Sequence, residues 1–203
     1  MLIWLVLIPL IAAALIGLCK APARPTALLS ASLTLALGIW ALVSFDGCSS
    51  CWSRFEGMDL QLTLAPALSK VMLLLTILVT FATVLGTNPP QGGEASWYNS
   101  ALLISAGATG AFLSDNIISF FAFHELALIP TFVMIGLYGR GDRRTTAWRA
   151  TLYLGLASMV LLAALLMIGT QAGFTFSGLK DFMASGRELA HAELIGAPVS
   201  YTH

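Results

Sequence analysis

Apolar residues run along this chain in long unbroken blocks, with neither the alternation of a half-buried strand nor the narrow stripe of a soluble helix. A helix needs about 20 mostly apolar residues, at about 1.5 Å rise each, to cross a bilayer. The pattern predicts six such spans: Leu2–Leu18, Thr26–Phe45, Pro66–Gly86, Tyr98–Leu113, Ile117–Tyr138 and Ala147–Gly169. Each is closed by polar or helix-breaking residues, as Thr87-Asn88-Pro89-Pro90 closes the third and Ser114-Asp115-Asn116 separates the fourth from the fifth. The blocks are too long and too evenly apolar for barrel strands, which alternate over about 10 residues. Backbone polar groups in hydrocarbon must be satisfied within the segment, so the spans are helices. The predicted fold is an all-α polytopic transmembrane bundle occupying residues 1–169, with residues 170–203 as a tail.

Composition strengthens this picture. Apolar residues make up 58% of the chain and charged ones 10%, against about 45–50% and about 25% in soluble domains. A soluble enzyme is excluded. Ten basic residues balance ten acidic ones, so nothing in the charge points to nucleic acid as a partner.

Direction follows from the basic residues, which favour the cytoplasmic side. Lys20 and Arg24 lie between spans one and two, and Arg140, Arg143, Arg144 and Arg149 between spans five and six. These two connections share a side, which places the N-terminus, the loop Asp46–Ala65 and the tail outside. In a secretory signal, positive charge precedes the apolar core; here it follows Leu2–Leu18. The first span therefore reads as a retained helix. Cys48 and Cys51 fall in the outer loop, where a short disulfide can form, while Cys19 at the inner end of span one reads as packing.

Ionisable residues lie in loops or at span ends, with one exception. Glu125 sits about 12 Å from one end of Ile117–Tyr138. An acidic group at that depth costs at least about 2.5–3.5 kcal/mol on insertion scales, so it needs a partner, a proton or water. Desolvation disfavours the charged form of a carboxyl and a nearby cation favours it, so a group balanced between them can load and release a proton. The alternative is a protonated Glu that bonds a neighbouring helix and only fixes packing. His124, about 100° away around the helix, could extend a proton path or bond a neighbour as neutral imidazole. Pro130 leaves the carbonyl of Leu126 without its helical partner. Lys70 reads as an anchor that snorkels to the outer interface. Tyr153 and Ser158 in span six could carry a hydrogen bond toward a buried path, although packing accounts for each as well. The small residues from Ser105 to Ala111 allow close helix approach in the Gly107/Ala111 manner. No phosphate loop, haem or iron–sulfur ligand set, or nucleophile arrangement occurs.

The stretch FFAFHELALIPTFVMIGLYGRGDRRTTAWRATLYLGLASMVLLAALLMIG, residues 120–169, resembles the antiporter-like subunit M (chain 4) family of NADH–quinone oxidoreductase, respiratory complex I. The family pattern is an aromatic-rich lead, a Glu, Leu-Ile-Pro and a Gly-rich basic turn. An Ala-x-x-basic-aromatic segment follows, then Tyr and Ser in the next span. Glu125, Leu128-Ile129-Pro130, Gly136, Gly139, Arg143, Ala147, Arg149, Tyr153 and Ser158 fit without a gap. Residues 65–70, Ala-Pro-Ala-Leu-Ser-Lys, depart from the family's Asp-Gly-Leu/Ile-Ser element.

The resemblance implies a proton-translocating membrane subunit built from two inverted five-helix repeats, of which this chain holds the first part. It implies that Glu125 carries the proton and pairs with a Lys on a broken seventh helix beyond residue 203. Among the matched residues Arg143, Arg149, Tyr153 and Ser158 are candidate members of the path, and His124, on its own position rather than the resemblance, is a candidate relay. No cofactor is expected on this chain; NADH, FMN, iron–sulfur clusters and quinone would belong to partner subunits. The expected setting is the plasma membrane of a bacterium, among other membrane subunits of a complex I-like assembly. The final residues 198–203 read as translated adapter sequence. The alternatives are a subunit of an Mrp-type sodium/proton antiporter or membrane-bound hydrogenase, or a helical scaffold that pumps nothing.

Overall fold

The computed structural model describes residues 2–44, 51–55, 58–64, 67–89, 92–139, 141–176 and 178–184. The apolar blocks become six helices, α1 (Leu2–Leu18), α2 (Ala23–Ser44), α3 (Ala67–Gly86), α4 (Glu94–Leu113), α5 (Ile117–Tyr138) and α6 (Arg143–Ala172). Three begin earlier than their apolar runs because a helix tolerates polar residues in its first turn. At α2 the fixed φ of Pro25 suits that turn. At α6 the Asp142 side chain accepts from the Thr145 amide and caps the N-terminus. Ala23–Ser44, Ala67–Gly86, Ile117–Tyr138 and Arg143–Thr170 are long and apolar enough to cross a membrane. Helix α1, at 17 residues, is shorter, and α4 carries Glu94, Asn99 and several hydroxyls.

One element departs from the all-α expectation. Strands β1 (Cys51–Phe55) and β2 (Met58–Gln61) pair as an antiparallel hairpin, with Arg54 opposite Asp59 and Phe55 opposite Met58. The segment has no apolar run long enough for a span. The proposed Cys48–Cys51 link lies outside the described residues, as do residues 185–203. Cys19, expected to pack, is a free and exposed cysteine.

Helix α4 packs against α1, α2, α3 and α5. Its many small and hydroxyl residues explain this: Ser105, Ala106, Gly107, Thr109, Gly110 and Ala111 are all buried and let neighbouring backbones come close. At Gly107 an added Cβ would stand 2.8 Å from both the Phe123 carbonyl and the Ala127 amide of α5. Two buried clusters fill the rest. Leu2, Leu5, Leu62, Leu64, Leu73 and Leu113 close one end, and Ala13, Ile16, Ala27, Val84, Tyr98 and Leu102 the other. By contrast α6 leaves Leu152, Tyr153, Leu156, Met159, Val160 and Met167 exposed.

The end of the bundle nearest the α4–α5 turn is tied by backbone pairing. Leu62 bridges to Ser114 and Asn116 to Thr175. The amides of Thr63, Ile117 and Phe176 donate to Leu113, Phe174 and Asp115 at 2.7–2.9 Å. The turn is thereby fixed on both sides, and the start of α5 with it.

Candidate functional site

Helix α5 is positioned at its start by Asn116, whose side-chain oxygen accepts from the Ile118 amide at 2.8 Å. Along its length, Gly107 and Gly110 of α4 receive Phe123 and Ala127. This fixes the rotation of α5 and turns Glu125 toward α6. There the Ser158 hydroxyl donates to Oε1 of Glu125. Ser158 is 2% exposed, and among the described residues it is the buried polar side chain of α6.

His124 lies beside this pair. Its Nδ1 stands 3.9 Å from Oε1 of Glu125, beyond hydrogen-bond reach. That nitrogen is buried and has no hydrogen-bond partner among the described residues. The imidazole ring stacks on Phe120 and Phe121, with ring centres 6.2 and 6.5 Å away.

A cavity of about 180 Å³ opens between α5 and α6 against the carboxyl, walled by Leu128, Phe132, Thr151, Leu154 and Gly155. Thr151 was not singled out by sequence; its hydroxyl donates to the Ala147 carbonyl of its own helix at 2.9 Å. Pro130 sits inside α5. The Thr131 hydroxyl takes the Ala127 carbonyl at 2.7 Å, next to the Leu126 carbonyl that Pro130 cannot engage.

The other sequence candidates lie elsewhere. Arg143 donates to the Leu137 carbonyl at 2.9 Å, twelve residues or about 18 Å along the helix from Glu125. Arg149 is exposed. Tyr153 is 75% exposed on the outer face of α6, because five residues of helix turn it well away from Ser158. Lys70 is half-buried in the first turns of α3. The structure therefore brings together Glu125, His124 and Ser158, and leaves Arg143, Arg149 and Tyr153 outside that group.

Two aspartates at helix ends have displaced acidities. Burial pushes the Asp115 carboxyl up from its ordinary value. Hydrogen bonds from the Thr145 side chain and amide hold Asp142 below it.

Comparison with known proteins gives consistent findings. Residues 114–196 match the family described as NADH:quinone oxidoreductase/Mrp antiporter, transmembrane. The F(420)H(2) dehydrogenase subunit M of Methanosarcina mazei is 25% identical over 168 residues, which is 78% of this chain and 34% of that one. The NADH-quinone oxidoreductase subunit M of Rickettsia typhi is 27% identical over 150 residues, 70% of this chain and 30% of that one. Among solved structures, a chain of respiratory complex I from Thermus thermophilus with bound NADH superposes with a TM-score of 0.76 at 26% identity. That match covers 88% of this chain and 38% of the other. The chain spans between about a fifth and a third of the length of the curated relatives it matches, from 19% to 34%.

Proposed function

We propose that this chain, whose residues 114–196 match the NADH:quinone oxidoreductase/Mrp antiporter transmembrane family, is part of a proton-translocating membrane subunit. The assembly is a complex I-like NADH–quinone oxidoreductase in a bacterial plasma membrane, and Glu125 is the proton carrier. The observation that carries this reading is the Glu125–Ser158 contact. It sets a carboxyl at mid-helix depth against a buried hydroxyl, inside the family-matched stretch.

The working cycle needs a cation from a later helix of the longer protein. A Lys approaching Glu125 favours the ionised form, and its withdrawal favours the protonated form. At 4 Å and an effective dielectric of 20 the Coulomb energy is about 4 kcal/mol, enough to drive release and reloading. In this reading all six helices span, with the N-terminus outside, as the first of two inverted repeats. Helix α4 can cross with its hydroxyls because protein surrounds it. His124 would act as a relay and Ser158 as the partner that turns the carboxyl toward α6. Arg143 and Arg149 would sit at the cytoplasmic entrance and Tyr153 on the face awaiting the later helices. NADH, FMN, iron–sulfur clusters and quinone are assigned to partner subunits.

Glu125→Gln in the full-length protein within its assembly tests the reading. Proton translocation is expected to be lost while the assembly forms; full translocation by that variant refutes it. An Mrp-type antiporter is the second reading, favoured by the shared family description, and sodium-dependent transport would mark it. A non-pumping scaffold predicts an infrared carboxyl band for Glu125 that never changes on turnover.

A further inference from the structure

We propose that His124 is the proton relay between Glu125 and an outer vestibule, with the Phe120 ring as the gate between them. The inference rests on the role given to Glu125 above and adds the route by which its proton leaves.

Three observations meet at His124. First, Nδ1 is buried without a partner and 3.9 Å from Oε1 of Glu125. Leaving a buried ring nitrogen unpaired is unfavourable, a cost removed in any state where the carboxyl turns from Ser158 to the imidazole. Second, Phe120, one turn nearer the α4–α5 connection, stacks on the same imidazole at 6.2 Å. Third, Phe120 also lines a separate, mostly apolar cavity of about 400 Å³ that Thr63, Ser69, Ser114 and Asp115 border. A space of that size, with these polar groups on its border, can admit water. Phe120 also meets Phe176 edge-on, with ring centres 5.8 Å apart, and Phe176 is anchored by its amide to the Asp115 carbonyl at 2.9 Å. The Phe120 ring thus stacks on the imidazole and borders this cavity, and it is braced by a segment fixed to the same turn.

The transfer balances without another reactant. Protonated Glu125 gives its proton to Nδ1 of an imidazole that already carries hydrogen on Nε2. This leaves a carboxylate and an imidazolium. The ring rotates about its Cβ–Cγ bond as Phe120 swings aside, Nδ1 releases the same proton to water in the vestibule, and the neutral ring returns. Among the described residues, the ionisable side chain recorded within 4 Å of the ring is Glu125. Helix α4 brings only Glu94, at its opposite end, and α6 only Arg143, Arg144 and Arg149. Asp115 is nine residues, or about 14 Å, from His124 along the chain.

The test uses the full-length protein in its assembly, reconstituted into vesicles, with electron transfer and proton translocation measured together. His124→Gln keeps a hydrogen-bonding side chain that cannot carry the proton. It is expected to retain electron transfer and to lower proton translocation about a hundredfold, the scale of a positioned proton-transfer group. Phe120→Ala is expected to raise passive proton leak severalfold, and adding His124→Gln to it should abolish the leak, which a structural role for the ring would not do. Wild-type translocation by His124→Gln overturns the relay, as does a Phe120→Ala leak that the second substitution leaves unchanged. Glu125→Gln run alongside separates the two levels: if it pumps normally the proton-carrier reading fails, whereas if it fails and His124→Gln pumps normally only the relay is lost.

Discussion

Gly107→Ala puts the close approach of α4 and α5 to a direct test. The added Cβ would lie 2.8 Å from the Phe123 carbonyl oxygen, 2.8 Å from the Ala127 amide nitrogen and 3.0 Å from the Ala127 Cβ. Ordinary contact begins at 3.4 Å, so the shortfall is 3.4 − 2.8, about 0.6 Å, a gap that overpacking has to open. Two of the three obstacles are backbone atoms, and no rotamer change relieves them; the helices must part. Overpacking of this kind costs about 1–3 kcal/mol. Alanine is better than glycine in a helix by about 1 kcal/mol, but chains unfolded in detergent keep most of their helix, so that gain cancels. The assay is SDS titration of the purified chain in mixed micelles, with Gly155→Ala as control. Gly155 has nothing within 4 Å of its added Cβ, so the control is expected within about 0.5 kcal/mol of wild type. Equal stability of the two variants would refute the packing argument. Since Phe123 and Ala127 flank Glu125, Gly107→Ala should also weaken the Glu125–Ser158 contact.

Ser158→Ala removes the hydroxyl donated to Glu125 and should cost about 0.6 kcal/mol, the average for hydrogen bonds between membrane helices, while shifting the infrared carboxyl band of Glu125; an unmoved band would sink the assignment. Asp115 has its acidity weakened by burial, so its folded form binds a proton more readily than the unfolded form. Its ionisation therefore disfavours the fold as pH rises through the folded value, and the penalty is absent below the unfolded value. Asp115→Asn should stabilise the chain at neutral pH and remove this pH dependence in SDS titrations repeated across pH. Asp142 is shifted the other way: its contribution is present above the unfolded value and is lost as pH falls through the folded one. Asp142→Ala should loosen the first turn of α6 at neutral pH and add nothing in acid, read by hydrogen exchange of the Thr145 amide.

Helix positions were legible because the bilayer imposes a length, and loops cannot remain in hydrocarbon. Leu2–Leu18 and Ile117–Tyr138 match α1 and α5 residue for residue. The early starts of α2, α4 and α6 were not legible from apolarity, since those turns are polar, and the start of α6 is set by the Asp142 cap. Glu125 stood out because a lone carboxylate in an apolar run has an immediate energetic cost.

Chain order alone thus determined the mainly helical plan, the approximate limits of the six helices and the acidic residue within an apolar run. Facing was decided only in three dimensions. In a soluble helix the apolar stripe reveals the core side, but lipid is as apolar as a protein interior, so these helices carry no such stripe. That is why Tyr153 and Ser158, equal candidates by sequence, end at 75% and 2% exposure. The central place of α4, the turn of Glu125 toward Ser158 and the unpaired nitrogen of His124 follow from which small residues let which backbones approach. That is a property of pairs of helices and is written in neither one alone.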